Sequence, residues 1–234
     1  MDVNHRSFVE IVERIVDLPP PIYEFGSFQV PGQEQLADLR PLFPSKPYVG
    51  CDLRPGPGVD RIEDLHSLTL QDGEVGTALI VATLEHVERP LRAMEEVTRV
   101  LAPHGVVVLS SHMDSPIHNH PSDYWRFTPA CFALLLSDFR MAIVGTGGDP
   151  NFPTDVFGVG FKSSVDVSQY LADLRRRFDY EPARDTWAQA KKKAIKDLLG
   201  FESLRPPRLK RPPKDQAVFS VCSHPRAGNT NVAN

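Results

Sequence analysis

The sequence predicts an α/β fold: a doubly wound, mostly parallel sheet with helices on both faces. Three observations predict it. Short apolar runs bounded by glycine or proline alternate with segments of helical spacing over residues 22–110, the order in which parallel strands and crossover helices follow one another. One of those runs, Val106 to Ser110, is almost wholly β-branched and apolar, as in a strand covered on both faces. Finally, 234 residues, 41% of them apolar and 24% charged, suffice for one sizeable core and exclude wholesale disorder.

Residues 6–18 read as an amphipathic helix, with Phe8, Ile11, Val12 and Ile15 on one face and Pro19-Pro20-Pro21 as its stop. Ile22 to Gly26 is a short apolar run bounded by proline and glycine, hence a buried strand. Leu36, Leu39 and Leu42 share a helical face within 33–42. Tyr48 to Leu53 forms a second strand, ending in Arg54-Pro-Gly-Pro-Gly58, and Gly76 to Thr83 a third. Pro90 to Leu101 places Leu91, Met94, Val97, Val100 and Leu101 on one helical face before Pro103-His104-Gly105 ends it. After the strand at Val106–Ser110 comes a polar, histidine-rich loop over 112–128, then a short helix from Pro129 to Leu136. Strand-like runs follow at 140–146 and 156–162. A long charged helix is expected from Val167 to Leu199, then a loose tail with an edge strand over Ala217–Cys222. The organisation is a core over 1–165, opened by an N-terminal helix over 1–18, with a basic helical extension over 166–234.

No membrane span is expected, because the longest nearly uncharged apolar run, Val75 to Leu84, is too short to cross a bilayer. The start Met-Asp-Val-Asn-His-Arg, with Glu10, Glu13 and Asp17 in its first apolar stretch, does not fit a signal peptide. Cys51, Cys131 and Cys222 are odd in number and lack a Cys-x-x-Cys pair, which points to a reducing, cytoplasmic setting and offers no zinc motif. Residues 1–160 hold eleven Lys and Arg against twenty-two Asp and Glu; residues 161–234 hold fifteen against eight. That split marks either a nucleic-acid contact or a solvated helical face in the basic part.

Ligands of open α/β sheets bind beyond the carboxyl ends of the strands, where strand order reverses. Gly26 ends the first strand, where the absence of a Cβ permits a tight turn and close approach. Asp52 ends the second, placed to accept the hydroxyl protons of an adenosine ribose. The stretches Glu24-Phe-Gly-Ser-Phe-Gln-Val-Pro-Gly-Gln33, Tyr48-Val-Gly-Cys-Asp-Leu53, Asp64-Leu-His-Ser-Leu68, Leu84-Glu-His-Val87 and Arg99-Val-Leu-Ala-Pro-His-Gly105 occur in order and at coherent spacing. Over residues 20–165 this series resembles the class I S-adenosylmethionine-dependent methyltransferases, in particular the type 11 subgroup, whose sheet is Rossmann-like.

The resemblance implies S-adenosyl-L-methionine as cofactor, leaving as S-adenosyl-L-homocysteine. It assigns Glu24, Gly26 and Ser27 to the loop around the methionine part and sulfonium, where a carboxylate would attract the cofactor's positive charge. Asp52 would hold the ribose hydroxyls and Leu53 an adenine face. Asp64, with the backbone of Leu65, would meet the adenine amino group, and Thr83 and Leu84 would line the methionine side. The chain departs from the family where Ser27 and Phe28 stand in place of further glycines.

The acceptor is expected beside Ser111–Pro129, which carries three of the eight histidines and matches the family's Ile-His…Pro-x-Asp-Tyr-Trp-Arg-Phe-Thr-Pro stretch. His118, His120 and Tyr124 are the catalytic candidates; His86, His112, Trp125 and Arg126 are candidate acceptor contacts. Asp123 and Arg126 also read as an ion pair that steadies the loop. A metal held by His112, His118, His120 and Asp123 is not expected, since methyl displacement requires none and the spacing fits no common zinc pattern. The expected reaction is methylation, at oxygen, of a small-molecule or glycosyl acceptor. Three readings compete with it. An RNA methyltransferase would use Arg175-Arg-Arg177 and Lys191-Lys-Lys193 on phosphates, but the expected catalytic face is acidic. A dehydrogenase on the same sheet requires Gly-x-Gly-x-x-Gly, which is missing after the first strand. A silent cofactor-binding partner would share the fold without the reaction. The extension is left the role of a lid or of a contact between copies of the chain.

Overall fold

The computed structural model describes residues 3–118, 121–149 and 152–164. The helix read over Val167–Leu199, the strand read over Ala217–Cys222 and the whole basic extension lie outside the described residues.

Helix α1 (Val3–Ile15) turns Phe8, Val9, Ile11 and Val12 inward, the spacing that gives a helix one apolar face. It starts and stops about one turn earlier than its periodicity predicts. The chain leaves the helical path beyond Val16 so that Leu18, fully buried, joins the core ahead of the prolines. Strand β1 (Ile22–Phe25) is buried at every position, as the centre of a parallel sheet requires. The helix expected over 33–42 is broken into α2 (Glu34–Ala37) and a 3-10 turn over Arg40–Leu42. Asp38 breaks it: its backbone is extended (ψ 100°) and its carboxylate accepts the Arg40 N–H at 3.2 Å, a local alternative to the helical bond.

Strands β2 (Tyr48–Asp52), β3 (Arg61–Ile62), β4 (Val75–Val81) and β5 (Leu101–His112) follow, then β6 (Met141–Asp149) and β7 (Phe152–Phe161). They form a seven-stranded sheet in the order β3-β2-β1-β4-β5-β7-β6. The strands from β3 to β5 are parallel; β7 runs antiparallel to both β5 and β6. Strand β3 escapes sequence reading because two residues show no period. Strand order reverses between β1 and β4, which sets the ligand edge at the carboxyl ends of β1, β2, β4 and β5.

Side chains alternate between the faces of the sheet. On one face Ala78, Ile80, Val107 and Leu109 pack against α3 (Pro90–Val100), α4 (Pro129–Leu135) and the segment 63–74. On the other, Leu79, Val81, Val106 and Val108 pack against α1 and the turns that carry Leu39 and Phe43. The segment 63–74 covers the sheet without a helix because α3 tethers it. Arg99 donates to the carbonyls of Leu68 and Leu70, each at 2.9 Å, and Glu96 accepts the Leu68 N–H at 3.1 Å. Thr128 caps α4, its hydroxyl oxygen accepting from the Cys131 N–H.

Candidate active site

A cleft of about 700 Å³ opens at the reversal point, lined by the residues that end β1, β2, β4 and β5 and by residues from 115–118 and 121–124. Gly26 forms its floor at φ +89°, where an added Cβ would lie 2.2 Å from the Thr83 hydroxyl oxygen. The N–H groups of Gly26 and Ser27 both donate to the Cys51 carbonyl, at 2.8 and 3.0 Å, which locks the turn onto β2. Thr83 donates to the carbonyls of Val81 and Phe25, so its side chain is held against the glycine. Ala82 between them has φ +48°, a left-handed conformation that side chains usually avoid.

Asp52 lies at the end of β2 with one carboxylate oxygen accepting from Arg54 N (3.0 Å) and the other facing Phe28 N (3.4 Å). The Arg54 guanidinium sits 4.4 Å above the Phe28 ring, and that ring fills the space a side chain at Gly56 would need. The aromatic group at Phe28, where the resembled family has glycine, is thus accommodated by a glycine 28 residues later. Leu53, exposed by 58%, presents an apolar surface beside it. Asp64 and Leu65 line the same end of the cleft; Asp64 accepts both the backbone and ring N–H of His66 at 2.8 Å. Asp52, Glu63, Asp64, Glu85 and Glu88 against Arg54 make the lining predominantly acidic, which favours cationic ligands over phosphates.

Several residues assigned to the ligand lie elsewhere. Glu24 does not line the cleft: on a pleated strand it faces opposite to its neighbour Phe25, toward α1, and accepts a short hydrogen bond from the Tyr48 hydroxyl. Burial pushes its carboxyl up to about 7, which weakens the charge meant to attract a sulfonium. Ser27 is buried between β2 and the 56–58 turn, and the Leu84 side chain is buried in the core. Neither lines the cleft. Trp125 and Arg126 also stand outside it. The Trp125 ring donates to the Val87 carbonyl at 2.9 Å. Arg126 grips both Asp123 oxygens, at 2.5 and 2.8 Å, and donates to the carbonyls of Ser115 and Pro116. That grip holds the Asp123 carboxyl well below the usual carboxylate range and pins the loop, as the ion-pair reading of Asp123 and Arg126 expects. His120 lies outside the described residues.

The acceptor end gathers His86, His112, His118 and Tyr124. The rings of His86 and His118 meet edge to face at 5.0 Å between centroids, and those of His118 and His112 at 5.7 Å. Three residues that sequence reading assigned no role at the site stand behind them. Asp155 is the cross-strand partner of His112 in the β5–β7 pairing and lies 3.1 Å from its Nδ1. Burial alone would raise the Asp155 carboxyl, but hydrogen bonds from His112 and His5 outweigh it and hold it far below the ordinary range. His5, fully buried on α1, completes that group at 3.4 Å. Glu85, fully buried, accepts from the Ser111 hydroxyl at 2.7 Å. It stands directly before His86, within the stretch Leu84-Glu-His-Val87, where the sequence alone gives no sign of its burial.

Comparison with known proteins bears on the fold that carries this cleft. A family model described as "Methyltransferase domain" matches residues 39–109, the span of β2, β3, β4 and most of β5. Among solved structures, the chain is similar to a 1,6-didemethyltoxoflavin-N1-methyltransferase of Burkholderia thailandensis, solved with 1,6-didemethyltoxoflavin and S-adenosylhomocysteine. The TM-score is 0.53 at 16% identity, covering 69% of this chain and 79% of that one. It is similar also to an S-adenosylmethionine-dependent methyltransferase of Archaeoglobus fulgidus, with TM-score 0.51, 13% identity, and 67% and 94% coverage. A third, the trans-methyltransferase CalH in complex with S-adenosylhomocysteine, gives TM-score 0.50 at 17% identity over 67% and 55% of the two chains. At these identities the likeness is one of fold. No curated protein matches. The matched segment carries Asp52, Thr83 and the strand that leads to His112, so the chain holds a segment similar to the methyltransferase domain on a fold shared with S-adenosylmethionine-dependent methyltransferases.

Proposed function

We propose that this chain methylates a hydroxyl oxygen of a small-molecule or sugar-bearing acceptor. The observation that carries the reading is the convergence of three imidazoles at one end of the cleft, each with its Nδ1 tied to a protein acceptor. His86 Nδ1 meets the Ser122 carbonyl at 2.5 Å, His118 Nδ1 the Pro116 carbonyl at 2.9 Å, and His112 Nδ1 the Asp155 carboxylate at 3.1 Å. An oxygen that can only accept fixes each Nδ1 as the donor, so in the neutral ring Nε2 carries the lone pair. Such an array suits an acceptor that must lose a proton, as an alcohol must.

The cofactor end fits S-adenosylmethionine on this structure's own features: a glycine floor with no room for a Cβ, a carboxylate at the end of β2, an apolar surface at Leu53, and an acidic lining. In this reading Asp52 accepts from the ribose hydroxyls, Asp64 and the Leu65 backbone meet the adenine edge, and Gly26 with Thr83 shapes the methionine side. When bound, S-adenosylmethionine supplies an electrophilic methyl on a cationic sulfur, which a nucleophile displaces in line. The chain's part is to hold the acceptor oxygen in that line, an effect of up to about 7–11 kcal/mol in model reactions, and to take its proton. The cleft volume is within the roughly 300–1,000 Å³ of small-molecule sites, which supports an acceptor of modest size.

Incubation of the full chain with S-adenosylmethionine carrying a deuterated methyl, and a panel of hydroxyl, amine and carbon acceptors, tests this. Methyl ethers are expected by mass spectrometry. Products labelled at nitrogen or carbon contradict the hydroxyl reading, and cofactor binding with no product across the panel favours a silent cofactor-binding protein. His86→Asn, whose amide can still donate to the Ser122 carbonyl, is expected to lower kcat by roughly 10²–10⁴-fold, the usual share of general-base catalysis. Its affinity for S-adenosylhomocysteine should stay unchanged.

A further inference from the structure

We infer that Glu85, His112 and His118 bind a divalent transition-metal cation at the acceptor end of the cleft. The inference deepens the hydroxyl-methylation reading, and only its consequence for the acceptor rests on that reading. One ligand atom from each of the three residues lies within 4.8 Å of the others. Glu85 Oε1 and His112 Nε2 are 3.9 Å apart. Two donors that share a zinc-like cation at roughly 2.0–2.2 Å sit up to about 4.4 Å from one another, so the group is close to ligating geometry.

The carboxylate supplies the independent observation. Glu85 is fully buried; Ser111 takes its Oε2, while Oε1 has no hydrogen-bond partner among the described residues. A buried carboxylate oxygen left uncompensated is costly, and a cation in the cleft would compensate it. The imidazoles are oriented for the same task. Metal-binding histidines typically donate the second ring N–H to a carboxylate or carbonyl, which fixes the tautomer and aims the other nitrogen at the ion. His112 donates to Asp155 and His118 to the Pro116 carbonyl. Asp155 is itself held by Asn4 at 3.0 Å and Thr154 at 2.9 Å.

A rival trio exists, His5, His112 and Asp155. It is a closed hydrogen-bonded network: Asp155 already accepts from Asn4, Thr154 and the two imidazoles, and His5 is fully buried. The Glu85 group instead opens onto the cleft. The set anticipated and rejected from sequence spacing, with Asp123 as its carboxylate, is excluded because Arg126 occupies both Asp123 oxygens. Two imidazoles and one carboxylate favour ions of the zinc, manganese(II) and iron(II) group over magnesium or calcium. Three ligands leave coordination positions open for an acceptor oxygen, whose proton a bound cation makes more acidic, with His86 beside it to receive that proton.

The test uses the full chain, stripped with a chelator and titrated with Zn²⁺ in equilibrium dialysis, with Co²⁺ as a spectroscopic probe of the ligand set. One equivalent of Zn²⁺ should bind, and Co²⁺ should give a visible ligand-field band. Glu85→Gln and His118→Asn should each weaken Zn²⁺ binding by on the order of a hundredfold or more. Asp155→Asn, acting through His112, should weaken it by roughly 10–100-fold. Circular-dichroism melting shows whether each variant is folded, and His118, on an exposed loop, serves if Glu85→Gln does not fold. Absence of stoichiometric binding to the native chain, or native affinity retained in both folded ligand variants, overturns the inference. Parallel titration with S-adenosylhomocysteine separates the two readings. Cofactor binding without metal binding sinks the metal site alone, whereas metal binding without cofactor binding sinks the methyl-transfer reading and leaves the site standing.

Discussion

Gly26→Ala is expected to lower the free energy of unfolding by about 2–5 kcal/mol and to abolish measurable binding of S-adenosylhomocysteine. Two costs add. At φ +89° a residue with a Cβ is in a conformation that costs roughly 1–2 kcal/mol. The new Cβ would also lie 2.2 Å from the Thr83 hydroxyl oxygen and 2.6 Å from its methyl carbon. Thr83 cannot swing away cheaply, because its hydroxyl is committed to the Val81 and Phe25 carbonyls; overpacking of this kind costs typically about 1–3 kcal/mol. The double variant Gly26→Ala, Thr83→Gly should recover the packing share but not the backbone share, a coupling that a double-mutant cycle measures. A Gly26→Ala chain that unfolds and binds like the native one would show that the turn does not form the floor of the site.

Glu24→Gln should stabilise the protein at pH 8 by up to about 3 kcal/mol and leave its stability near pH 4 almost unchanged. Burial is the main cause that raises the Glu24 carboxyl from 4.5 to about 7, with Asp38 adding to it, while the Tyr48 hydroxyl and Arg40 pull the other way. Each unit of such a shift corresponds to roughly 1.4 kcal/mol. Between 4.5 and 7 the folded chain holds this proton and the unfolded chain does not, so stability from this group is complete below 4.5 and is lost as pH rises through 7. A glutamine keeps an acceptor for the Tyr48 hydroxyl without the ionisation. The slope of unfolding free energy against pH should therefore flatten between 5 and 8 in the variant, as measured by urea denaturation. An unaltered slope would mean that Glu24 is ionised throughout.

These two residues, adjacent but for Phe25, mark the boundary of what the sequence discloses. Gly26, Asp52 and Thr83 were legible because each ends an apolar run, and the carboxyl ends of parallel strands face the ligand by topology. The central strands were legible for the same reason: β1 and β4 are buried on both faces and carry no polar alternation to obscure them. Glu24 was misplaced because its role depends on which face of β1 it occupies, and a strand buried on both faces gives no amphipathic cue to decide it. The break at Asp38 depends on one side-chain hydrogen bond that competes with the helix, which the Leu36–Leu39–Leu42 spacing cannot reveal. Asp155 and His112 are 43 positions apart and meet only because β7 inserts antiparallel between β5 and β6. Local pattern holds no information on that pairing. Glu85 was in plain view within Leu84-Glu-His-Val87, yet only its burial and its Ser111 partner separate it from a surface residue at a helix start.

Calorimetric titration of S-adenosylhomocysteine into the native chain and into Asp52→Ala decides whether this cleft holds S-adenosylmethionine with Asp52 on the ribose. Hydrogen bonds to a charged acceptor are worth about 1.5–3 kcal/mol each. The native chain should bind one equivalent, and Asp52→Ala should bind roughly 10–100-fold more weakly with its thermal unfolding transition intact. Equal affinity in the two proteins, or binding of NAD in place of S-adenosylhomocysteine, would contradict that reading.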